Sequence, residues 1–186
     1  QAIKSHGTAS RENKNNTIDR NLIHDYFSGA TSTSNSKGII AYTNTTHWTI
    51  SNNRFYQSAT RTWQASGSSG LYNIYSCIDV EFGSGYNITG NILGFANSAG
   101  TGYSVFVPQS GQASMIQALI INQTTATLSN ISSNIIAGFD LTSSRIDGAL
   151  GYNIFLGIYL IAGNVSISGN TIGSISSNNS ILIRST

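Results

Sequence analysis

One pattern of apolar and polar positions recurs five times along the chain. In each copy an Ile is followed by an Asn three residues later and by a second large apolar residue two positions after that. The copies span residues 18–23, 50–55, 88–93, 131–136 and 167–172. Their Asn residues are spaced 32, 38, 43 and 36 residues apart. Self-similarity over such periods predicts a stacked-repeat architecture in which each copy contributes one unit.

A second apolar segment precedes each of the last four copies. These segments, at residues 38–42, 78–82, 116–121 and 154–161, are rich in β-branched or aromatic residues and are flanked by Gly, Ser or Asn. Segments of that length and composition are typical of β-strands rather than helices. Each repeat is therefore predicted to run strand, turn, strand, and then a loop excursion of variable length.

The motif Asn is predicted to have a structural role. It lies between two inward apolar positions, where the chain turns a corner, and Asn both tolerates left-handed backbone conformations and bonds its own backbone. In stacked repeats its amide can also bond to the amides above and below. We expect the five motif Ile residues to form one inward column. We expect a ladder at a corner from Asn21, Asn53, Asn91, Asn134 and Asn170.

The sequences of several segments resemble those of a known class of proteins. NITGNIL at 87–93 and VSISGNTIGSI at 165–175 resemble coils of right-handed parallel β-helix proteins of the pectin-lyase-like type. HWTISNNRFYQSATRTWQASG at 47–67 and GNTIGSISS at 169–177 are similar to large, repetitive secreted β-helix proteins of Bacteroidetes-type bacteria. The resemblance covers most of residues 15–186. It implies an all-β fold, a right-handed single-stranded parallel β-helix (β-solenoid) of about five to six coils with loop excursions.

Composition narrows the class of protein. A length of 186 residues predicts a single β-helix domain over 1–186. The strand-like Ser180–Ile183 suggests an excerpt of a longer chain, with flanking coils of that chain as partners. Only 9% of residues are charged, so the solubility of the surface depends on Ser, Thr and Asn.

The charge pattern and apolar runs exclude several classes of protein. Basic residues are too dispersed for a nucleic-acid partner. The chain contains no run of 18 apolar residues, so no membrane-spanning helix is predicted. The single Cys77 excludes an intrachain disulfide.

The outward strand positions contain one acidic pair, Asp79 and Glu81. Strict alternation places Val80 and Phe82 inward and Cys77 outward with the acids. Two residues along a strand lie about 6.6 Å apart on one face. This is compatible with the acid and base of an inverting glycosidase, about 6.5–9.5 Å apart, and with two oxygen ligands for Ca²⁺. The third interpretation is a pair of solvated carboxylates. No cofactor other than calcium is indicated.

The excursion at residues 56–75 contains the candidate ligand-binding residues, Trp63, Arg61, Gln64 and Tyr72. An exposed aromatic face beside a cation and amides is suited to stacking on a sugar ring and bonding its hydroxyls. The alternative is that Trp63 folds back as a lid over the outer face of the solenoid. The adjacent His24 and Asp25 are expected to point apart, as neighbours on a strand do.

The resemblance implies a scaffold rather than a reaction. The catalytic segments of the polygalacturonase-like branch, Asn-Thr-Asp, Asp-Asp, Gly-His-Gly and Arg-Ile-Lys, do not occur, and no catalytic residue is assigned. The sequence favours a non-enzymatic, rigid structural or adhesive segment of a bacterial secreted or cell-surface protein, with a polysaccharide or cell-surface glycan as partner of its loops. The alternative is a carbohydrate-active enzyme, a polysaccharide lyase or glycoside hydrolase, with catalytic coils partly outside this chain.

Overall fold

The computed structural model describes residues 1–28, 35–63, 73–109, 113–144, 153–174 and 180–185. Within those ranges every regular element is a β-strand, and the strands pair in parallel with the equivalent strand one repeat away. None of these residues belongs to a helix long and apolar enough to cross a membrane.

Three five-stranded parallel sheets form most of the wall of the solenoid. The first contains β1 (Ile3–Ser5), β5 (Asn35–Ala41), β10 (Asn73–Val80), β14 (Ser114–Asn122) and β18 (Phe155–Ala162). The second contains β3 (Thr17–Asp19), β7 (Thr49–Ser51), β11 (Asn87–Thr89), β15 (Ser129–Ser132) and β19 (Val165–Ser168). The third contains β4 (Leu22–His24), β8 (Arg54–Tyr56), β12 (Ile92–Leu93), β16 (Ile135–Ile136) and β20 (Thr171–Ile172).

A fourth sheet lies in segments that the sequence assigned to loop excursions. It contains β9 (Arg61–Trp63), β13 (Ser104–Pro108), β17 (Phe139–Ser143) and β21 (Ile181–Ser185). A short pair, β2 (Asn13–Lys14) and β6 (Thr45–Thr46), completes the strand set of the described residues. The excursions therefore supply a further wall that closes the core.

The all-β parallel solenoid predicted from the repeat is confirmed, but it has about four turns rather than five to six. Each of the first three sheets is five strands deep, so the chain passes each wall five times and completes four turns between the first and last passage. The number of turns is smaller than expected because each repeat is long. The excursion in each repeat forms a strand of the fourth wall rather than part of an additional coil.

The motif Ile residues form one column, as predicted. Ile18 pairs with Ile50, Ile50 with Ile88, Ile88 with Ile131, and Ile131 with Ile167. The three interior members are fully buried, whereas Ile167 is 45% exposed. The column is thus the axis of the core, and its burial depends on having a coil on both sides.

The motif Asn residues form the predicted ladder. Asn53 Oδ1 accepts bonds from the backbone N and the Nδ2 of Asn21, at 3.0 and 3.1 Å. The same pair of bonds joins Asn53 to Asn91, Asn91 to Asn134, and Asn134 to Asn170. The amide of every Asn after the first also donates to the carbonyl of a motif Ile, as Asn91 does to Ile50 at 2.8 Å.

The left-handed corner, however, is one residue earlier than expected. The residue before the motif Asn has a positive φ in all five copies: Arg20, Asn52, Gly90, Ser133 and Gly169, at 54, 54, 66, 56 and 60°. The motif Asn itself is not among the positive-φ residues of the described chain. Its conserved position in the repeat therefore comes from the ladder, and the backbone reversal is made by its neighbour.

Strict alternation fails in β10. Cys77 is fully buried with Ile78 and Val80 in the core cluster, so the prediction that Cys77 points outward is wrong. The cysteine occupies the same level as Gly38 of the neighbouring coil, where an added Cβ would lie 2.9 Å from the Phe55 ring. Only small side chains fit inward at this level. Phe82, expected inward, is 41% exposed because the strand ends at Val80.

Candidate functional site

The outer face of the first sheet holds the acidic pair. Asp79 lies in β10 between Ile78 and Val80, whose side chains belong to the core, so its carboxyl points away from the core. Its neighbours on adjacent strands are Ile40 and Ile120, which are 4% and 7% exposed. Asp79 is itself only 2% exposed. The interpretation of two solvated carboxylates is therefore wrong for Asp79.

Lys37 of β5 binds both acids. Its Nζ lies 2.6 Å from Asp79 Oδ2 and 2.5 Å from Glu81 Oε1. The Lys37 backbone pairs with Ser76, so the long side chain runs along the sheet to reach the carboxylates. The side chains of Lys37, Asp79 and Glu81 are 13, 2 and 27% exposed. We call these three residues the Lys37 cluster; it is buried at Asp79 and open at Glu81.

Burial and charge act in opposite directions within the Lys37 cluster. Burial raises the pKa of Asp79 to about 6, against the opposing effect of the Lys37 ammonium, and Glu81 adds to the rise. Burial disfavours the charged form of Lys37, but the Asp79 and Glu81 carboxylates raise its pKa above the ordinary value. The cluster therefore keeps its cation and can exchange a proton at Asp79 near neutral pH.

The two carboxylates are closer than an inverting glycosidase requires. Because both bind one ammonium at 2.6 and 2.5 Å, the two bonded oxygens lie at most about 5 Å apart, below the usual 6.5–9.5 Å. Lys37 also fills the space in which the attacking water would lie. The same ammonium occupies the position between the acids that a Ca²⁺ ion would need. The described residues contain no group of three His, Cys, Asp or Glu side chains suited to a metal.

A groove of about 410 Å³ opens beside the Lys37 cluster on this outer face. We call it the outer groove. Its lining combines acids, amides, an aromatic ring and an aliphatic side chain: Asp79, Glu81, Gln117, Asn122, Tyr42 and Ile161. Asp79 Oδ1 is buried there without a hydrogen-bond partner, which is costly for a carboxyl oxygen.

Trp63 does not present an exposed face. Its side chain is fully buried, 5.5 Å from the Phe106 ring in a stacked arrangement and 5.0 Å from Phe27 edge to face. The expectation of an exposed indole is wrong, because Trp63 belongs to the fourth sheet and packs in the core. Of the other candidate ligand residues, Gln64 and Tyr72 lie outside the described residues. The ligand-binding role of the set stays a prediction.

Arg61 contributes to a polar cluster that fixes the loop between β8 and β9. Its guanidinium contacts Asp25, whose carboxylate also accepts bonds from the Ser58 backbone N at 2.9 Å and the Ser58 Oγ at 2.8 Å. His24 Nδ1 lies 2.9 Å from the same carboxylate. The expectation that His24 and Asp25 point apart is wrong, because Asp25 leaves the strand with a φ of 55°.

This polar cluster has a structural role. Burial raises the pKa of Asp25, but the bonds from His24 and Ser58 and the Arg61 charge outweigh it, and the pKa is held well below the usual range. A carboxylate held ionised by four donors has no lone pair poised to take a proton. The cluster therefore stabilises the loop and offers no base.

Cys77 is chemically inert. Burial raises the pKa of its thiol to about 12, with Tyr26 and Tyr75 acting in the opposite direction. A thiol held protonated is a poor nucleophile and a poor metal ligand.

Sequence reasoning missed Lys37 and the other members of the outer groove. Tyr42 lies beside Glu81 because Ile39–Ala41 pairs with Ile78–Val80. Alignment of residues 38–42 with 78–82 places Tyr42 beside Phe82 instead, so the repeat does not predict this neighbour. Nor does it predict the contact from Lys37, because that contact depends on how far a flexible side chain extends along the sheet. Gln117 lies in the apolar segment 116–121, which predicts only a strand, and Asn122 follows that segment.

Comparison of the chain with family models, curated proteins and solved structures finds no match in any of the three. The functional argument therefore depends on the geometry of the chain itself.

Proposed function

We propose that this chain is a rigid β-solenoid segment of a bacterial secreted or cell-surface protein that binds glycans in its outer groove. Two features support the proposal that the chain is a rigid segment. The core columns run through the whole stack, and the Asn ladder ties each coil to the next. Stacked coils with satisfied amides resist bending, as an extended presenting element must.

The observation that carries glycan binding is the mixed lining of the outer groove, in which the partly exposed Glu81 carboxylate lies beside an amide and an aromatic ring. A sugar hydroxyl can donate a hydrogen bond to the Glu81 carboxylate, whose side chain is 27% exposed. Asn122 lines the same groove, and its exposed amide can bond further hydroxyls. The Tyr42 ring, 38% exposed, supplies the aromatic surface of the groove, with Lys4 Nζ 5.3 Å from its centroid. A few fixed polar groups beside an apolar face are typical of small-ligand sites.

The bacterial and extracellular assignment is supported by the segments that resemble secreted β-helix proteins, such as GNTIGSISS at 169–177. It is also supported by a surface built from hydroxyl and amide side chains, with only 9% charged residues. The sequence predicts a glycan contact in the excursion at residues 56–75. Because Trp63 is buried, the proposed contact is instead on the outer face of the first sheet.

The test is a glycan array screened with the wild-type chain and with Tyr42→Ala. We expect the wild type to retain a set of polysaccharides and the variant to lose about five- to tenfold in affinity, because the lost aromatic contact is worth roughly 1–1.4 kcal/mol. Phe82→Ala is the matched control, since Phe82 is an exposed aromatic, 41% exposed, that lines a different depression.

Two results would contradict the proposal. One is a wild-type chain that retains no glycan on the array. The other is an equal loss for Tyr42→Ala and Phe82→Ala, which would mean that exposed aromatics bind without regard to the groove.

A second candidate function is a polysaccharide lyase or glycoside hydrolase, and it is favoured by the pKa of Asp79 near 6 beside Glu81. A carboxyl that titrates near neutral pH is suited to general acid–base catalysis. Incubation of the chain with array-positive polysaccharides separates the two functions. Release of reducing ends or unsaturated products that Asp79→Asn abolishes would establish the enzyme; binding without products supports the adhesive segment.

A further inference from the structure

The Lys37 cluster places an amine against a carboxyl group between two successive coils. Lys37 Nζ lies 2.6 Å from Asp79 Oδ2 and 2.5 Å from Glu81 Oε1. The atom that an amine attacks in a carboxyl group is its carbon, and Asp79 Cγ is bonded to Oδ2. A rotation of the carboxyl, rather than a movement of either strand, therefore brings Nζ against that carbon.

The surroundings of Asp79 exclude water. Asp79 is 2% exposed, and its neighbours on the adjacent strands, Ile40 and Ile120, are 4% and 7% exposed. In water a Lys–Asp pair stays an ion pair, because solvation favours the two ions. Burial raises the free energy of the ions far more than that of a neutral amide. This environment therefore favours an amide over the ion pair.

Asp79 is better suited to react with the amine than Glu81. Asp79 Oδ1 is buried without a hydrogen-bond partner among the described residues, and an unpaired oxygen costs more when it is charged than when it is the carbonyl oxygen of an amide. Burial also raises the pKa of Asp79 to about 6, so its carboxyl can hold the proton that makes it reactive towards an amine. The Glu81 side chain is 27% exposed and keeps contact with water.

We propose that Lys37 of β5 and Asp79 of β10 join in an amide bond, and that Glu81 transfers the protons. Glu81 first carries a proton from the Lys37 ammonium to the Asp79 carboxylate. The neutral amine then attacks: the bond between Nζ and Cγ forms, and the bond between Cγ and Oδ2 breaks. Glu81 carries a second proton from Nζ to the departing hydroxyl, which leaves as water. The ammonium and the carboxylate supply every atom of the amide and of the water, so no oxidant or co-reactant is needed.

The bond would link successive coils covalently. It closes a ring from residue 37 to residue 79 and restricts the unfolded chain as a disulfide does, in a chain whose single cysteine excludes an intrachain disulfide. Because the amide removes the Asp79 carboxyl, a pH response of Asp79 belongs to the chain before joining.

The test is the intact mass of the wild-type chain, measured under denaturing conditions after prolonged incubation of the folded protein at neutral pH. We expect a mass lower by one water than the sequence requires. A sample incubated in denaturant should keep the full mass, because the reaction depends on the fold. Proteolysis of the joined chain should give one branched peptide that connects the segment of Lys37 with the segment of Asp79.

Two variants remove the reacting groups one at a time. Lys37→Arg keeps the positive charge but replaces the amine with a guanidinium that stays protonated, and Asp79→Ala removes the carboxyl. Both should keep the full mass. Glu81→Gln keeps both reacting groups and should slow joining by about a hundredfold, since the proton transfer is lost.

The chain also contains a matched control pair. Lys14 Nζ lies 4.0 Å from Glu12 Oε2, and the two side chains are 57 and 50% exposed. This solvated pair should not join, so trypsin should still cleave after Lys14 in a chain that it no longer cleaves after Lys37.

Three outcomes would overturn the proposal. The first is a wild-type chain that keeps its full mass, a result that decides whether or not the variants fold. The second is a loss of water that persists in Lys37→Arg, which would locate the dehydration elsewhere. The third is a loss that persists in Asp79→Ala, which would place the bond on Glu81. Because the measurement contains no glycan, none of these outcomes bears on ligand binding in the outer groove.

Discussion

At the scale of single residues, buried amides and one buried ion cluster supply polar bonding beside the apolar core. Asn91 shows the density of bonding. Its Oδ1 accepts two bonds from Asn53 at 3.0 Å, and its Nδ2 donates to Ile50 O and to Asn134 Oδ1 at 2.8 and 2.9 Å. The side chain is fully buried, so all four bonds are made away from water and none can be replaced by solvent.

Truncating an interior Asn should therefore cost more than truncating the first one. We expect Asn91→Ala to lower the free energy of unfolding by about 1–3 kcal/mol, because it leaves buried donors and an acceptor unpaired. Asn21→Ala should cost less, since Asn21 is exposed and lies at the start of the ladder. Chemical denaturation of both variants tests this; equal losses would show that the ladder is a surface feature.

The Lys37 cluster predicts a pH dependence. The pKa of Asp79 is raised from 3.8 to about 6, so the folded state holds a proton that the unfolded chain has already lost. The free energy of unfolding contributed by Asp79 therefore falls as pH rises from about 4 to about 6, and stays lower above that. Asp79→Asn removes this titration, and its stability relative to wild type should rise across the same window, by at most about 3 kcal/mol.

Thermal melts of both proteins from acid to neutral pH provide the measurement. Changes in packing or hydrogen bonding that do not depend on the charge of Asp79 give a constant offset, so the informative quantity is the slope. Two stability curves that stay parallel through this window would contradict the raised pKa.

At the scale of strands, the burial of the motif Ile column determines how much each coil contributes to the free energy of unfolding. Ile88 and Ile167 occupy the same column on β11 and β19, but Ile88 is fully buried and Ile167 is 45% exposed. The identity of the side chain is constant and only the number of neighbouring coils differs. The column therefore offers a direct comparison of one residue type with and without cover.

We expect Ile88→Ala to destabilise the chain by about 2–5 kcal/mol, because the stacked coils leave a cavity with little room to relax. Ile167→Ala is the matched control and should cost well under half as much. Equilibrium unfolding of the two variants is the measurement. Similar losses at both positions would mean that the end coil contributes to the core as an interior coil does.

The strands of the motif could be predicted because their order repeats. Alternation in Ile50–Ser51 and its counterparts, together with the invariant offset to the Asn, gave the column and the ladder. The fourth sheet could not be predicted, because Ser104–Pro108 and Phe139–Ser143 share no motif and their lengths vary with the excursions. Trp63 was misplaced for the same reason. At the site, strand periodicity predicts the pairing of Asp79 with Glu81 on one face. The contact of Lys37 with them could not be predicted, because it depends on how far the Lys37 side chain extends in the folded chain.

At the scale of the whole molecule, the stack separates two tasks. Inward columns and the Asn ladder hold the coils in register, whereas the outer face of the first sheet is free to vary. The outer groove illustrates this division, since Asp79 faces it from the same strand that puts Ile78 and Val80 into the core. Recognition can therefore change on one face without altering the packing beneath it.

The parallel pairing of every wall also determines how the molecule responds to force. Its inter-coil hydrogen bonds run along the stacking axis, so tension along that axis loads the coil junctions in series and opens them one at a time. Each opened junction releases one repeat of 32 to 43 residues, which is roughly 100–150 Å of new contour length at about 3.3–3.6 Å per residue. An attachment that runs through this stack would lengthen in steps, dissipating work at each step, before it failed.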